Sequence, residues 1–146
     1  MSTIGFDTSN YTTSTAWTDG KTDINVRQIL YVKDGERGIR QSDGVFQHMK
    51  LMPVMYEKLS EQIDFKDVKA VGVSTRPRCV EGSYMPVFLA GEGYAKVVAN
   101  TLGVPLYEFS HQDGHIMAGI YSSGSFELLE NDFISVHLSG GTTEIL

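Results

Sequence analysis

The chain has 146 residues, of which 41% are hydrophobic and 21% charged, the balance of one ordinary globular domain and not of a disordered segment. A single cysteine excludes an internal disulfide and fits a reducing, cytoplasmic setting; no apolar run approaches the ~18 residues of a membrane span, and Met1-Ser2-Thr3 begins no signal peptide. A formal net charge of −6 argues against a stand-alone nucleic-acid binder, so any positive charge for an RNA partner must come from elsewhere.

In chain order, Thr3 to Trp17 is rich in threonine and aromatics and reads as a strand, a turn at Asn10-Tyr11 and a second strand. Val26 to Val32 reads as a third, closing a meander. From Asp43 the apolar period changes: Val45, Phe46, Met49, Met52, Met55, Tyr56, Leu59 and Ile63 recur at helical spacing. An amphipathic helix is expected over 44–62, with a kink at Pro53 and its methionine stripe in the core. Val68 to Ser74 reads as a short buried strand and Ala90 to Leu102 as a helix closed by Gly103. Val104 to Phe109 follows as a strand, then a helix from His111 to about Ser122, then a strand beginning at Phe133 to Leu138.

His111-Gln112-Asp113-Gly114-His115 carries the strongest chemical signal. Residues at i and i+4 share one face of a helix, and two neutral imidazoles so placed can clamp one transition-metal ion. Ser110 and Asp113 have the S-x-x-D form of a capping box, which starts the helix at 110 and sets His111 at its mouth. The bland alternative is that two of four histidines fall at this spacing on a polar helix start. At the other end of the chain, Gly5-Phe6-Asp7-Thr8-Ser9-Asn10 places a carboxylate at a strand end before a turn of small polar residues. Backbone amides there can hold phosphate, and the acid a metal or its water shell; a plain turn has the same composition.

A hairpin and third strand, followed by helix–strand–helix–strand–helix, is the order of one ribonuclease-H-like lobe of the actin, sugar-kinase and heat-shock chaperone superfamily. The expected fold class is therefore α/β, a mixed sheet with three main helices. Within that superfamily the motifs resemble the TsaD/Gcp family, formerly labelled O-sialoglycoprotein endopeptidase or glycoprotease. Ile4-Gly5-Phe6-Asp7-Thr8-Ser9 is similar to the family's Gly-Ile-Glu-Thr-Ser opening, with Asp for Glu. His48 and Pro53 resemble its helical His and Pro, and Val71-Gly72-Val73-Ser74-Thr75 its strand before a Gly-Pro-Gly turn. Pro105 to His115 resembles its Pro-strand-His-x-x-Gly-His segment, and Ser139-Gly140-Gly141-Thr142-Thr143-Glu144 its Ser-Gly-Gly-His-Thr-Gln hairpin.

The resemblance implies transfer of a threonylcarbamoyl group from its adenylate to a tRNA adenosine. It implies one divalent transition metal, iron or zinc, held by His111 and His115, with His137 as a third candidate in the place of a tyrosine ligand of archaeal and eukaryotic relatives. The alternative for His137 is an ordinary strand residue. An ATP or adenylate ligand would meet Asp7, Thr8, Ser9, Ser139, Gly140, Gly141 and Thr142. Implied partners are tRNA within a larger complex, and a paralogous subunit or a second copy docking through the lobe's helices, with no membrane.

The chain also departs from the family pattern. Arg76-Pro77-Arg78 stands where the family has Gly-Pro-Gly, followed by an insertion around Glu81 to Gly91. Arginine resists the backbone angles that glycine permits. Arg76 and Arg78 are candidate contacts to an anion, or else a solvated basic loop. Cys79 beside them is expected as a small buried hydrophobe.

Residues 1–132 are expected to form the lobe, and 133–146 the first strand and hairpin of a second lobe, with an exposed edge. The chain is expected to be a piece of a longer protein and inactive alone, because a one-walled cleft cannot preorganise a transition state. Two further readings compete: a non-catalytic paralogue serving as a partner-binding scaffold, and, last, a metallopeptidase. The His-x-x-x-His lacks the glutamate of His-Glu-x-x-His, so a zincin's general base is missing.

Overall fold

A computed structural model describes residues 1–36, 38–138 and 143–145. Strands β1 (Ser2–Asp7), β2 (Thr12–Thr18) and β3 (Asp23–Ile29) form the meander, antiparallel throughout. Strand β4 (Val68–Arg76) then runs parallel to β1, and β5 (Leu106–Ser110) parallel to β4, giving the sheet order β3-β2-β1-β4-β5. Helices α1 (Gln41–Ser60), α2 (Phe88–Leu102) and α3 (His111–Ser123) alternate with the strands. This is the ribonuclease-H-like arrangement that the element order predicts. Strands β6 (Val136–Leu138) and β7 (Thr143–Ile145) pair with each other as a separate two-stranded sheet.

Strand periodicity assigns the two faces of the main sheet. Ile4 and Phe6 on β1 and Val71 and Val73 on β4 lie on one face and are buried beneath α1 and α2, against Met52, Leu59, Ala95 and Ala99. Burying a side chain such as Leu59 or Met52 contributes roughly 1.5–3 kcal/mol. Phe6 stacks on Tyr56 with ring centroids 5.8 Å apart, extending this core along the helix. The alternate residues of the same strands, Gly5, Asp7, Gly72 and Ser74, face the other way, toward α3.

Helix α1 corrects the expected core stripe. Its buried line is Gly44, His48, Met52, Met55 and Leu59, whereas Phe46 and Met49 are exposed. A step of about 3.6 residues per turn carries positions 46 and 49 past the sheet-facing edge once His48 is turned inward. Gly44 permits a close approach of the two helices: a Cβ there would lie 2.8 Å from Val87 Cγ1. The helix continues through Pro53. Proline lacks the amide that would bond the Met49 carbonyl, and the Tyr94 hydroxyl of α2 donates to that carbonyl instead, at 3.0 Å. Strand β3 begins at Asp23, three residues before the expected Val26, because its outward positions Asp23, Asn25 and Arg27 are polar and mask the edge strand's pattern. Gly103 closes α2 in the left-handed conformation, φ 66°, as its position predicts.

Candidate functional site

The parallel strands β1, β4 and β5 end together, at Asp7, Arg76 and Ser110, and α3 leaves the sheet there. Ligands of open α/β sheets collect at such carboxyl ends. The expected capping box is formed: Ser110 Oγ accepts the Asp113 amide at 3.1 Å, and Asp113 Oδ2 accepts the Ser110 amide at 2.9 Å. That reciprocal pair fixes where α3 starts, and so fixes His111 and His115 on its sheet-end face.

Three imidazoles gather at this point. The ring centroids of His111 and His115 are 4.3 Å apart in an edge contact, and those of His115 and His137 are 5.1 Å apart, stacked. His137 is contributed by β6, and its Nδ1 is buried with no hydrogen-bond partner among the described residues. Burial first, then the charges of His111 and His137, hold the His115 imidazole below its usual pKa, with Asp7 opposing. These rings therefore favour the neutral, ligand-competent form at His115. Among the described residues, however, no three His, Cys, Asp or Glu side chains converge as a ready-made metal cage. The expected trio is brought together as neighbours, with an i, i+4 pair and a third imidazole beside it. An i, i+4 imidazole pair with a third imidazole beside it fits zinc or iron, both of which take histidine ligands.

Asp7 is more deeply engaged than its place in a turn suggests. Its Oδ2 lies 2.9 Å from His111 Nδ1, and its Oδ1 accepts the Ser9 amide at 2.8 Å. Burial alone would raise the Asp7 pKa. The hydrogen bond and charge of His111, with bonds from Ser74 and Ser9, outweigh it and hold the carboxyl down at about 2. Phe88, at the start of α2, packs its ring 6.3 Å from that of His111. Phe88 does not stand out in the sequence, and Ser74 is marked only as one of two hydroxyl residues, with Thr75, that follow the apolar run of β4.

The remaining expected site residues separate. The Thr8 hydroxyl is buried and donates to Val87 O at 2.8 Å while accepting the Gly91 amide at 3.0 Å, so it ties β1 to α2 and is not turned to a ligand. The Ser9 amide is committed to Asp7. Ser139, Gly140, Gly141 and Thr142 lie outside the described residues. Arg76 ends β4 at the same sheet edge, its guanidinium donating to Thr75 Oγ1 at 3.2 Å and lying 3.8 Å from Cys79 Sγ. Cys79 is exposed, which corrects its expected burial: the loop after β4 turns outward, with the Arg78 amide donating to Ser83 Oγ at 3.0 Å. The same loop is pinned to α3, where the Gln112 amide donates to Pro77 O at 3.1 Å. An open cavity of about 380 Å³ adjoins the imidazoles, between Ile116 and Ile120 of α3 and Phe133, Ile134 and Val136.

Comparison with known proteins agrees with this geometry. Residues 35–146 match the family described as TsaD: tRNA N6-adenosine threonylcarbamoyltransferase. A protein of that description from Pyrobaculum calidifontis is 28% identical over 144 residues, which is 97% of this chain and 40% of the relative. Another from Moorella thermoacetica is 36% identical over 101 residues, 68% of this chain and 27% of the relative. The chain thus spans well under half the length of these relatives. A solved structure described as an uncharacterized protein with similarity to peptidase YEAZ from Pseudomonas aeruginosa superposes with a TM-score of 0.57 at 12% identity, covering 99% of this chain and 63% of the other. YeaZ from Pseudomonas aeruginosa gives 0.53 at 16% identity over 75% of this chain and 43% of the other. These structural likenesses show the ribonuclease-H-like fold. The family match over residues 35–146 and the sequence relatives place the chain in the TsaD family, the tRNA N6-adenosine threonylcarbamoyltransferases.

Proposed function

We propose that this chain is the metal-bearing lobe of a tRNA threonylcarbamoyl transferase, and the observation that carries this reading is the His111–His115 pair held at the capped start of α3 beside Asp7. His111 and His115 would hold one zinc or iron ion, with His137 the third imidazole within reach. When bound, the ion supplies Lewis-acid polarisation of the carbamoyl-adenylate. The chain's own contribution is placement: the capping box fixes the helix start, and Asp7 holds the His111 ring, with Phe88 beside it.

The phosphate-contact reading of Ser9, Ser139, Gly140, Gly141 and Thr142 belongs to the same proposal, as does the anion-contact reading of Arg76 and Arg78. Support for the latter is the position of Arg76 at the carboxyl end of β4, in line with Asp7 and Ser110. We place the lobe boundary at 132/133, since β6 and β7 pair only with each other among the described residues. The imidazoles face an open side, so the chain alone is expected to be inactive. Acting on tRNA would place the protein in the cytoplasm. No described helix is long and apolar enough to cross a membrane.

The scaffold reading is favoured by different observations. Arg76-Pro77-Arg78 replaces a glycine turn, and the outer side of α1 exposes Phe46, Met49 and Val54, where a paralogous subunit or a second copy would dock. Nucleoside analysis of tRNA from the source organism separates the readings. The transferase reading expects threonylcarbamoyladenosine to fall both when the gene is deleted and when His111 and His115 are replaced by Ala together. A fall on deletion alone would make the protein a scaffold. No change in either strain would overturn both.

A further inference from the structure

We infer that Asp7 is a positioning residue for His111: its carboxylate accepts a hydrogen bond from the Nδ1–H of the imidazole and so leaves the Nε2 lone pair free for a ligand. Both oxygens of Asp7 are engaged, Oδ2 on His111 Nδ1 at 2.9 Å and Oδ1 on the Ser9 amide at 2.8 Å. Those two bonds tie the carboxylate to the His111 ring and to the backbone of its own turn, which is the arrangement of a residue that orients a ligand. An ionised carboxylate has only acceptor atoms, so against an imidazole nitrogen it selects the tautomer with the proton on that nitrogen. In the neutral ring the proton then sits on Nδ1, and Nε2 keeps its lone pair. Phe88 lies beside the same ring, with centroids 6.3 Å apart. Ligating histidines are held by carboxylates in this way in many metal sites, and loss of the carboxylate costs about 10–100-fold in metal affinity.

The tautomer follows from the geometry alone, while its purpose rests on the metal reading given above, and one pair of measurements separates the two. The first is the ¹⁵N spectrum of the His111 ring in the metal-free chain, for the unmodified protein, Asp7→Asn and Asp7→Glu. In Asp7→Asn the Ser9 amide retains the surviving carbonyl oxygen, which leaves the NH₂ facing His111 and drives the ring proton to Nε2. Protonation at Nδ1 is expected in the unmodified protein and in Asp7→Glu, and at Nε2 in Asp7→Asn. An Nε2-protonated ring in the unmodified chain, or no change in Asp7→Asn, would overturn the inference. The second is titration of the same three proteins, and of His111→Ala, with Zn²⁺ alone, with circular dichroism melts confirming that each is folded. Asp7→Asn is expected to bind about 10–100-fold more weakly at unchanged stoichiometry, with Asp7→Glu restoring most of the affinity. Loss in Asp7→Asn as complete as in His111→Ala would make Asp7 a direct ligand and overturn the positioning role. The predicted tautomers with no zinc bound by the unmodified protein would overturn the metal reading, and with it Asp7's purpose, while leaving its hold on His111.

Discussion

His48 shows how one side chain can write a pH dependence into the fold. It sits wholly buried on α1, with Nδ1 2.8 Å from the Thr13 hydroxyl of β2 and Nε2 without a partner among the described residues. Burial pushes its pKa down to about 4 from the ordinary 6.5, the negative charge of Asp7 only partly opposing. The folded state therefore resists a proton that the unfolded chain accepts. Stability from this group is complete above about pH 6.5 and is lost as the pH falls from there toward 4, by on the order of 2–3 kcal/mol. Denaturant unfolding of the unmodified chain and of His48→Gln across pH 4 to 8 checks this. The difference between them should narrow by that amount toward pH 4; a difference independent of pH would show that His48 does not titrate in the unfolding equilibrium.

Between elements, the critical joint is where β1 meets the start of α2. A Cβ on Gly91 would lie 2.8 Å from Thr8 Oγ1 and 3.3 Å from its Cγ2, and the Thr8 hydroxyl holds both the Gly91 amide and the Val87 carbonyl. Gly91→Ala is thus expected to cost about 2–3 kcal/mol through overpacking and a strained buried hydroxyl. In a double-mutant cycle with Thr8→Ala, the combined loss should be less than the sum, because the clash and the hydroxyl vanish together. Additive losses would mean that the two residues do not meet as described. This joint is not legible in the sequence, where Thr8 reads as a ligand-facing turn residue and Gly91 as the end of an insertion. The capping box was legible, since Ser110 and Asp113 satisfy each other over three residues and need no tertiary context. So was the end of α2 at Gly103, for the same local reason. The inward turn of His48 and the outward turn of Phe46 and Met49 depend on which helix face meets the sheet. A polar residue in the buried line shifts that face, and apolar periodicity cannot reveal it.

For the whole molecule, topology assembles a site from residues more than a hundred positions apart. The meander delivers Asp7, the crossover through α2 delivers Phe88, and β5 hands the chain to α3 with its two histidines. The i, i+4 spacing made the histidine pair visible from sequence, whereas the Asp7 bond to His111 spans 104 positions and only the fold can show it. With a net charge of −6, the chain is poorly suited to hold tRNA unaided, which is consistent with work inside a larger complex. The central claim is that the start of α3 carries a metal site, and the most direct measurement is metal content and affinity of the purified chain beside His111→Ala/His115→Ala, by elemental analysis and titration with Zn²⁺ and Fe²⁺. One ion per chain, lost in the double variant, is the expected result. Equal binding by both proteins, or none by either, would contradict it.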